Sequence, residues 1–346
     1  MRWRRTVTVV GAHAEGEVGD VITGGVGDVP GSTVWEKARW LEREGDWLRR
    51  VLINEPRGSV ARHVNLVVPA CDPRAAMGYV IMEPEEYVPM SGSNTICVAT
   101  VLLETGMVPM REPVTELVLE APGGLIALEC ACRDGKVREV RFTNVPAFAL
   151  HLARPIEVPG VGTVTVDVAY GGMLFVLFDA APLGFRITPD EARDICELGE
   201  RVKAATNAQL ECVHPENPEI RGVSIAEVRG PLRRRGDRVS ARNTVIVSPG
   251  RLDRSPCGTG TSARLAVMHA RREIAKGEVF EHRSIIGTRF RGRIERTTRV
   301  AGRPAVVTSI AGQAWITGIH QYGIDPTDPF PEGYRIADTW GVPGPR

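Results

Sequence analysis

The sequence predicts a mixed α/β (α+β) fold made of two similar domains. Each half of the chain runs strands, then a turn of small residues, then an apolar helix, then a β-meander. The two turns, Met90-Ser91-Gly92-Ser93-Asn94-Thr95 and Pro256-Cys257-Gly258-Thr259-Gly260-Thr261, match in residue type: a hydroxyl or thiol, then glycine, then a small hydroxyl residue. With 346 residues, 43% of them hydrophobic, the chain can fill two ordinary cores.

The elements follow in order. Residues 6–11 and 64–69 read as strands, and 34–54 carry apolar residues at helical spacing. Residues 80–82 form a short strand that leads to the first turn, and Ile96, Val98, Val101 and Leu102 predict a helix from Ser91–Asn94 to Gly106. Strands at 117–120, 125–132 and 138–143 are separated by Gly123-Gly124 and Asp134-Gly135, an antiparallel meander. A β-rich run covers 160–178, a charged helix spans 189–206, and strands lie near 220–227 and 244–248. The second turn opens a helix that runs to about Lys276. A meander at 283–290, 293–299, 305–310 and 314–318 closes the chain.

Bulk properties exclude several classes. Lys plus Arg is 43 and Asp plus Glu is 42, so nothing in the charge balance points to nucleic acid or a membrane surface. The basic run PLRRRGDR at 231–238 reads as a solvated turn. The N-terminal MRWRRTVTVVGAHAEG has too short an apolar run for a signal segment, and Gly11 and His13 break it. No stretch approaches the ~18 apolar residues of a membrane helix, so the expected location is the cytoplasm. Seven scattered cysteines argue against a disulfide framework. Cys130 and Cys132 share one strand face with no second pair to complete a metal site, so they read as buried strand cysteines.

The two turns carry the chemistry. A helix N-terminus offers unpaired N–H donors and the positive end of the dipole, and two of them facing across a cleft make a carboxylate site. A thiol there is expected to ionise more easily than a free cysteine at about 8.5. A Cys257 thiolate beside a bound carboxylate is placed to remove the proton from the adjacent carbon, while the N–H groups stabilise the growing charge without a cofactor. Ser91 occupies the place from which a proton returns on the opposite face. Plainer readings stand beside these: Ser91 as a helix N-cap and Cys257 as a small buried residue. Gly258–Ala263 also fits a G-x-G-x-x-A nucleotide fingerprint, but residues 249–256 separate it from the preceding strand. A cysteine hydrolase would need His13, His63 or His214 as partner, and no spacing singles one out.

Asp253-Arg254-Ser255-Pro256-Cys257-Gly258-Thr259-Gly260-Thr261-Ser262-Ala263 resembles the second active-site signature of the proline racemase family, and Pro89–Thr95 resembles the first. His13 with Gly16-Glu17, Glu55-Pro56-Arg57-Gly58 and Tyr170-Gly171-Gly172 extend the resemblance over essentially the whole chain. It implies a diaminopimelate epimerase-like fold of two domains, each a curled sheet around a central helix, with the active site in the interdomain cleft. The C-terminal strand would return to the first domain, giving 1–137 plus 313–346 and 138–312.

The resemblance also implies a cofactor-independent, metal-free homodimer. Its ligand would be a proline-type imino acid, held by Gly92, Ser93, Asn94, Gly258 and Thr259, with Asp253 on the ring nitrogen. Two departures matter: Ser91 replaces the first catalytic cysteine, and Ser93 replaces a histidine. A serine hydroxyl is nearer in acidity to water (about 15.7) than to a thiol, so Ser91 suits proton donation better than abstraction. The serine–cysteine pair resembles hydroxyproline-type members and implies a hydroxyproline 2-epimerase, with Cys257 as base and Ser91 as opposite-face donor. The alternatives are a trans-3-hydroxy-L-proline dehydratase, which the Tyr170-Gly171-Gly172 turn resembles, and a catalytically silent imino-acid binder.

Overall fold

The computed structural model describes residues 5–236 and 238–340. The basic start at 1–4, Asp237 of the basic run, and the chain end at 341–346 lie outside the described residues. The chain divides into two compact units, Met1–Phe142 with Gly312–Arg346, and Thr143–Ala311.

The first unit contains β1 (Thr6–Ala14), β2 (Glu17–Gly24), α1 (Val34–Glu44), α2 (Trp47–Ile53), β3 (Arg62–Val68), β4 (Met77–Met82), β5 (Tyr87–Val88), α3 (Gly92–Glu104), β6 (Val114–Ala121), β7 (Gly124–Arg133) and β8 (Lys136–Thr143). The second contains β9 (Phe148–Val158), β10 (Gly162–Tyr170), β11 (Leu174–Asp179), α4 (Ala192–Gln209), β12 (Val213–His214), β13 (Asn217–Arg221), β14 (Ile225–Arg229), β15 (Arg233–Arg235), β16 (Arg238–Val247), β17 (Arg251–Leu252), α5 (Gly258–Ala270), β18 (Val279–Arg283), β19 (Arg289–Val300) and β20 (Arg303–Gly312). The chain then returns to the first unit with β21 (Ala314–Gly323), which pairs antiparallel with β1, and ends on α6 (Ala337–Trp340).

The repeat read from the sequence is present in the topology. In the first unit the strand order is β21-β1-β2-β3-β4-β6-β7-β8, and in the second it is β9-β10-β11-β14-β16-β18-β19-β20. The sense of pairing is the same at every step. The third and fifth pairings are parallel (β2–β3 and β4–β6; β11–β14 and β16–β18), and the rest are antiparallel. Parallel neighbours need a crossover, and helices supply it: α1 and α2 then α3 in one unit, α4 then α5 in the other.

The two crossover helices that follow the small-residue turns are core helices. All of α3 except its last residue is buried, and so is α5 from Gly258 to Met268. Apolar and small residues all round a helix call for burial on every side. The sheet must then come close, and glycine allows it. A Cβ at Gly19 of β2 would stand 2.8 Å from Asn94 Oδ1 and 2.9 Å from Cys97 Sγ. One at Gly292 of β19 would stand 2.8 Å from Leu265 Cδ1. Cys130 and Cys132 are buried on one face of β7, as expected, and all seven cysteines are free.

Local chemistry explains where the structure departs from the sequence reading. The helix expected over 34–54 is two helices. Gly45 closes α1 by donating to Leu41 O, and Asp46, paired with Arg49, starts α2. The strand expected near 220–227 is split, because the Asn207 side chain takes both the N–H and the C=O of Val223. The strand expected at 283–290 is a hairpin turn: Gly287 N donates to Ser284 O, and β18 pairs with β19. The basic run at 231–238 is a hairpin arm, β15 paired with β16, rather than a plain turn.

Gly19→Ala is expected to destabilise the fold by about 1–3 kcal/mol through overpacking against α3. Gly27→Ala, where a Cβ meets nothing within 4 Å, should be close to neutral. Chemical denaturation of the two variants against the parent chain measures the difference.

Candidate active site

The site residues fall at the starts of the two buried helices. In the first unit Ser91 is extended (φ −146°, ψ 124°) and occupies the N-cap of α3. Its backbone does what a cap does, with Ser91 O accepting from Thr95 N at 3.0 Å. Its side chain does not: Ser91 Oγ takes no N–H of the first turn and accepts from Asn94 Nδ2 at 3.0 Å. The first-turn N–H groups of Gly92, Ser93 and Asn94 therefore have neither an intrahelical carbonyl nor the cap hydroxyl.

The Asn94 amide is held on both ends. Asn65 Nδ2 donates to its Oδ1 at 2.8 Å, and its Nδ2 also meets His63 Nδ1 at 3.2 Å. An amide nitrogen only donates, so Nδ1 of His63 accepts. Glu17 and Glu83 stand 3.4 and 3.6 Å from the same ring. Asn94, Asn65, His63 and Glu17 are all buried. The consequence for Ser91 is directional: its oxygen is occupied as an acceptor, and its own O–H is left to donate.

The second unit repeats the plan with different parts. Cys257 caps α5 in the left-handed region, φ 68° and ψ 116°, a conformation that costs a non-glycine residue of order 1–3 kcal/mol. Its N–H donates to Ser255 Oγ at 3.1 Å, and Ser255 N in turn donates to Asp253 Oδ1 at 2.7 Å. This chain fixes the backbone that turns Sγ onto the helix. Sγ accepts from Gly260 N at 3.3 Å and lies 3.5 Å from Thr259 Oγ1. Here the thiol is the cap, whereas in the first unit the hydroxyl is not.

Behind both turns a threonine repeats. Thr95 Oγ1 donates to Ser91 O at 2.7 Å and meets Tyr79 OH at 2.6 Å. Thr261 Oγ1 donates to Cys257 O at 2.6 Å and meets His282 Nδ1 at 3.0 Å. Thr261 spends its hydrogen on Cys257 O, so it accepts from His282 Nδ1–H. The bare Nε2 then faces Glu227 Oε1 at 3.5 Å. Burial drives the His282 imidazole well below its ordinary range, and burial pushes the Glu227 carboxyl up to about 8. A neutral carboxyl is the partner a bare imidazole nitrogen tolerates. Glu227 reaches this position because residue 260 is glycine: a Cβ there would stand 2.9 Å from Glu227 Oε2 and 3.2 Å from Cys257 Sγ.

The helix start leads one to expect an easily ionised thiol, and the folded chain reverses that. Burial, and then the charge of Asp253, push the Cys257 thiol well above its ordinary range. The contacts from Thr259 and Gly260 pull it back by less. Desolvation of a thiolate outweighs two weak hydrogen bonds to sulfur.

The remaining sequence markers are also placed. Gly171 of the Tyr170-Gly171-Gly172 turn packs on α5, where a Cβ would lie 2.2 Å from Thr259 O. Asn144 clamps it, donating to Gly171 O and to Ser262 Oγ, both at 2.8 Å. His13 stacks on Trp315 and accepts from Gly16 N, while His214 packs edge-on against Phe148 and Tyr170, which stack on each other. In the second unit the imidazole behind the cysteine turn is therefore His282, not His214. The glycines of the nucleotide fingerprint do not sit at a strand end, since β16 stops at Val247 and β17 intervenes. Among the described residues no group of three or more His, Cys, Asp or Glu is arranged to hold a metal ion, and no helix is long and apolar enough to cross a membrane.

Sequence reasoning missed Asn65, Asn144, Glu227 and His282. Each lies on a strand or loop far along the chain from the turn it supports, with Glu227 and His282 buried within β14 and β18.

A family model described as proline racemase matches residues 9–335. The chain belongs to the proline racemase family. It is similar to a hydroxyproline epimerase from Agrobacterium vitis, solved with bound trans-4-hydroxy-L-proline. The two share 42% identity with a TM-score of 0.88, over 99% of this chain and 99% of that one. It is also similar to a probable proline racemase from Agrobacterium radiobacter K84, solved with bound carbonate. Here the identity is 40% and the TM-score 0.87, over 97% of this chain and 98% of that one. A PhzF-family phenazine biosynthesis protein from Bacillus anthracis shares the fold alone, at 12% identity and TM-score 0.58 over 93% and 99% of the chains. The protein is thus an isomerase of the racemase and epimerase type.

For this family member the buried Glu227 sets a pH signature. Folded Glu227 keeps its proton up to about pH 8, while an unfolded glutamate loses it near 4.5. Between those values the folded chain holds a proton that the unfolded chain lacks. The site therefore favours folding most below about 4.5 and loses that contribution as pH rises to about 8. Glu227→Gln should flatten the stability profile across that window, as measured by urea unfolding at a series of pH values.

Proposed function

We propose that this protein is a cofactor-independent hydroxyproline 2-epimerase, acting on trans-4-hydroxy-L-proline or its 3-hydroxy isomer, with both turns serving one imino acid. The observation that carries the reading is the equivalence of Ser91 and Cys257. Each is the N-cap residue of a buried crossover helix at the same step of a repeated topology. The likeness to an epimerase solved with trans-4-hydroxy-L-proline supports the substrate class.

The substrate carboxylate is taken by the first-turn N–H groups of Gly92, Ser93, Gly258 and Thr259, with that of Asn94 beside them. The ring nitrogen, cationic at neutral pH, pairs with Asp253. That pairing offsets the charge of Asp253, which after burial is the second cause that pushes the Cys257 thiol up, so substrate binding lowers one of the barriers to the thiolate. Cys257 S⁻ then takes the Cα proton and becomes a thiol, and the electron pair is delocalised into the carboxylate. Ser91, its oxygen held by Asn94, gives its O–H proton to the opposite face. Exchange with solvent afterwards returns a proton to Ser91 and removes one from Cys257. The assembly that performs this reaction is a homodimer working in the cytoplasm.

Proton NMR in D₂O with trans-4-hydroxy-L-proline, trans-3-hydroxy-L-proline and L-proline tests the assignment. The parent enzyme should lose the Cα proton signal and form the 2-epimer. Cys257→Ala should lower exchange by about 10²–10⁴-fold, the range of a general base. Ser91→Ala should keep exchange on the Cys257 face and lose the epimer. An imine or enamine from the 3-hydroxy substrate, with no epimer, would replace the epimerase by the dehydratase. Binding without exchange would make the chain a silent imino-acid binder.

A further inference from the structure

One sheet face of the second unit is built of arginine. β15 pairs with β16, β16 with β18, and β18 with β19. Alternation sends Val239, Ala241, Phe280, His282 and Phe290 to the core and turns the other set outward. On the outward set Arg235 stands opposite Arg238, Arg242 opposite Arg283, and Arg283 opposite Arg289. Arg233 faces Ser240. Like charges directly across a sheet are destabilising, and here the arrangement recurs at each of the three strand pairings.

The chain as a whole is close to neutral, at +1, so this is a local excess. Glu281 lies on the same face and is engaged by Arg283 and Arg289. Arg233, Arg235 and Arg238 are exposed and have no acidic partner among the described residues. A groove of about 790 Å³ lies over the face, walled by Gly230 and Pro231.

The geometry points to a binding site for a small, multiply charged phosphate anion of the oligophosphate class, independent of the proton-transfer turns. Guanidinium forks match phosphate oxygens in pairs, which a point charge does not do. The groove volume falls in the range of small-molecule sites. The aromatic rings of these strands, Phe280 and Phe290, point to the core, so the face offers no stacking platform for the bases of a single strand. An anion seated here relieves the cross-strand repulsion, so binding should stabilise the fold.

Inorganic tripolyphosphate is the probe, titrated by calorimetry and by thermal unfolding at constant ionic strength. The expected result is saturable one-to-one binding that raises Tm and weakens as salt is added. The double variant Arg235→Gln, Arg238→Gln should bind at least ~10-fold more weakly with Cα proton exchange unchanged. Arg238→Lys keeps the charge, loses the fork and should also weaken binding, and it carries the test if the double variant fails to fold. The proposal is overturned if sodium chloride of equal ionic strength raises Tm as much, or if both variants bind tripolyphosphate like the parent. It is also overturned if an oligonucleotide binds this face more tightly than tripolyphosphate.

Discussion

The fold turns on one constraint, which is that each of its two central helices begins in the interior. A helix start carries N–H groups that no carbonyl of the helix can satisfy, and burying them is costly unless something accepts them. In α3 and α5 the first turns are made of glycine and small hydroxyl residues, which leave the backbone approachable. The surrounding strands leave room in turn, with glycine where β2 passes α3 and where β19 passes α5. Each such first turn leaves N–H donors for which the helix itself holds no carbonyl.

The repeated topology puts the same backbone behind two different capping residues, a serine and a cysteine. A threonine locks each capping carbonyl, and a buried aromatic hydroxyl or imidazole meets that threonine. The difference arises one position earlier. Asn94 fills the space beside the hydroxyl of Ser91 and donates to it, whereas Gly260 leaves the space beside the thiol of Cys257 to the carboxyl of Glu227. An oxygen held as an acceptor is suited to giving up its own hydrogen. A buried thiol beside the charge of Asp253 holds its proton more tightly than a free cysteine does. The asymmetry of the two side chains is thus matched by asymmetric support, although the backbone plan is shared.

Much of this was legible in the residues. The paired turns, the helices after them and the meanders followed from glycine placement, alternation and apolar runs, which are local properties of the chain. The breaks at Gly45, at Val223 and at 284–288 were not, because each depends on a bond formed with a residue several positions away or on another element. The thiol's expected ease of ionisation failed for a related reason. A helix start can be read from sequence, but the burial that outweighs it cannot.

The sequence by itself determined the family, the repeated plan and the places of Ser91 and Cys257 at the starts of two apolar helices, since these rest on short stretches of glycine and small residues followed by apolar runs. Only the tertiary structure decided what stands behind them. Asn65 and His63 reach Asn94 from β3, Glu227 and His282 reach α5 from β14 and β18, and the arginines of β15, β16, β18 and β19 meet on one face. Those neighbours are brought together by strand pairing and register, and pairing between distant segments is a property of the folded chain rather than of any stretch within it.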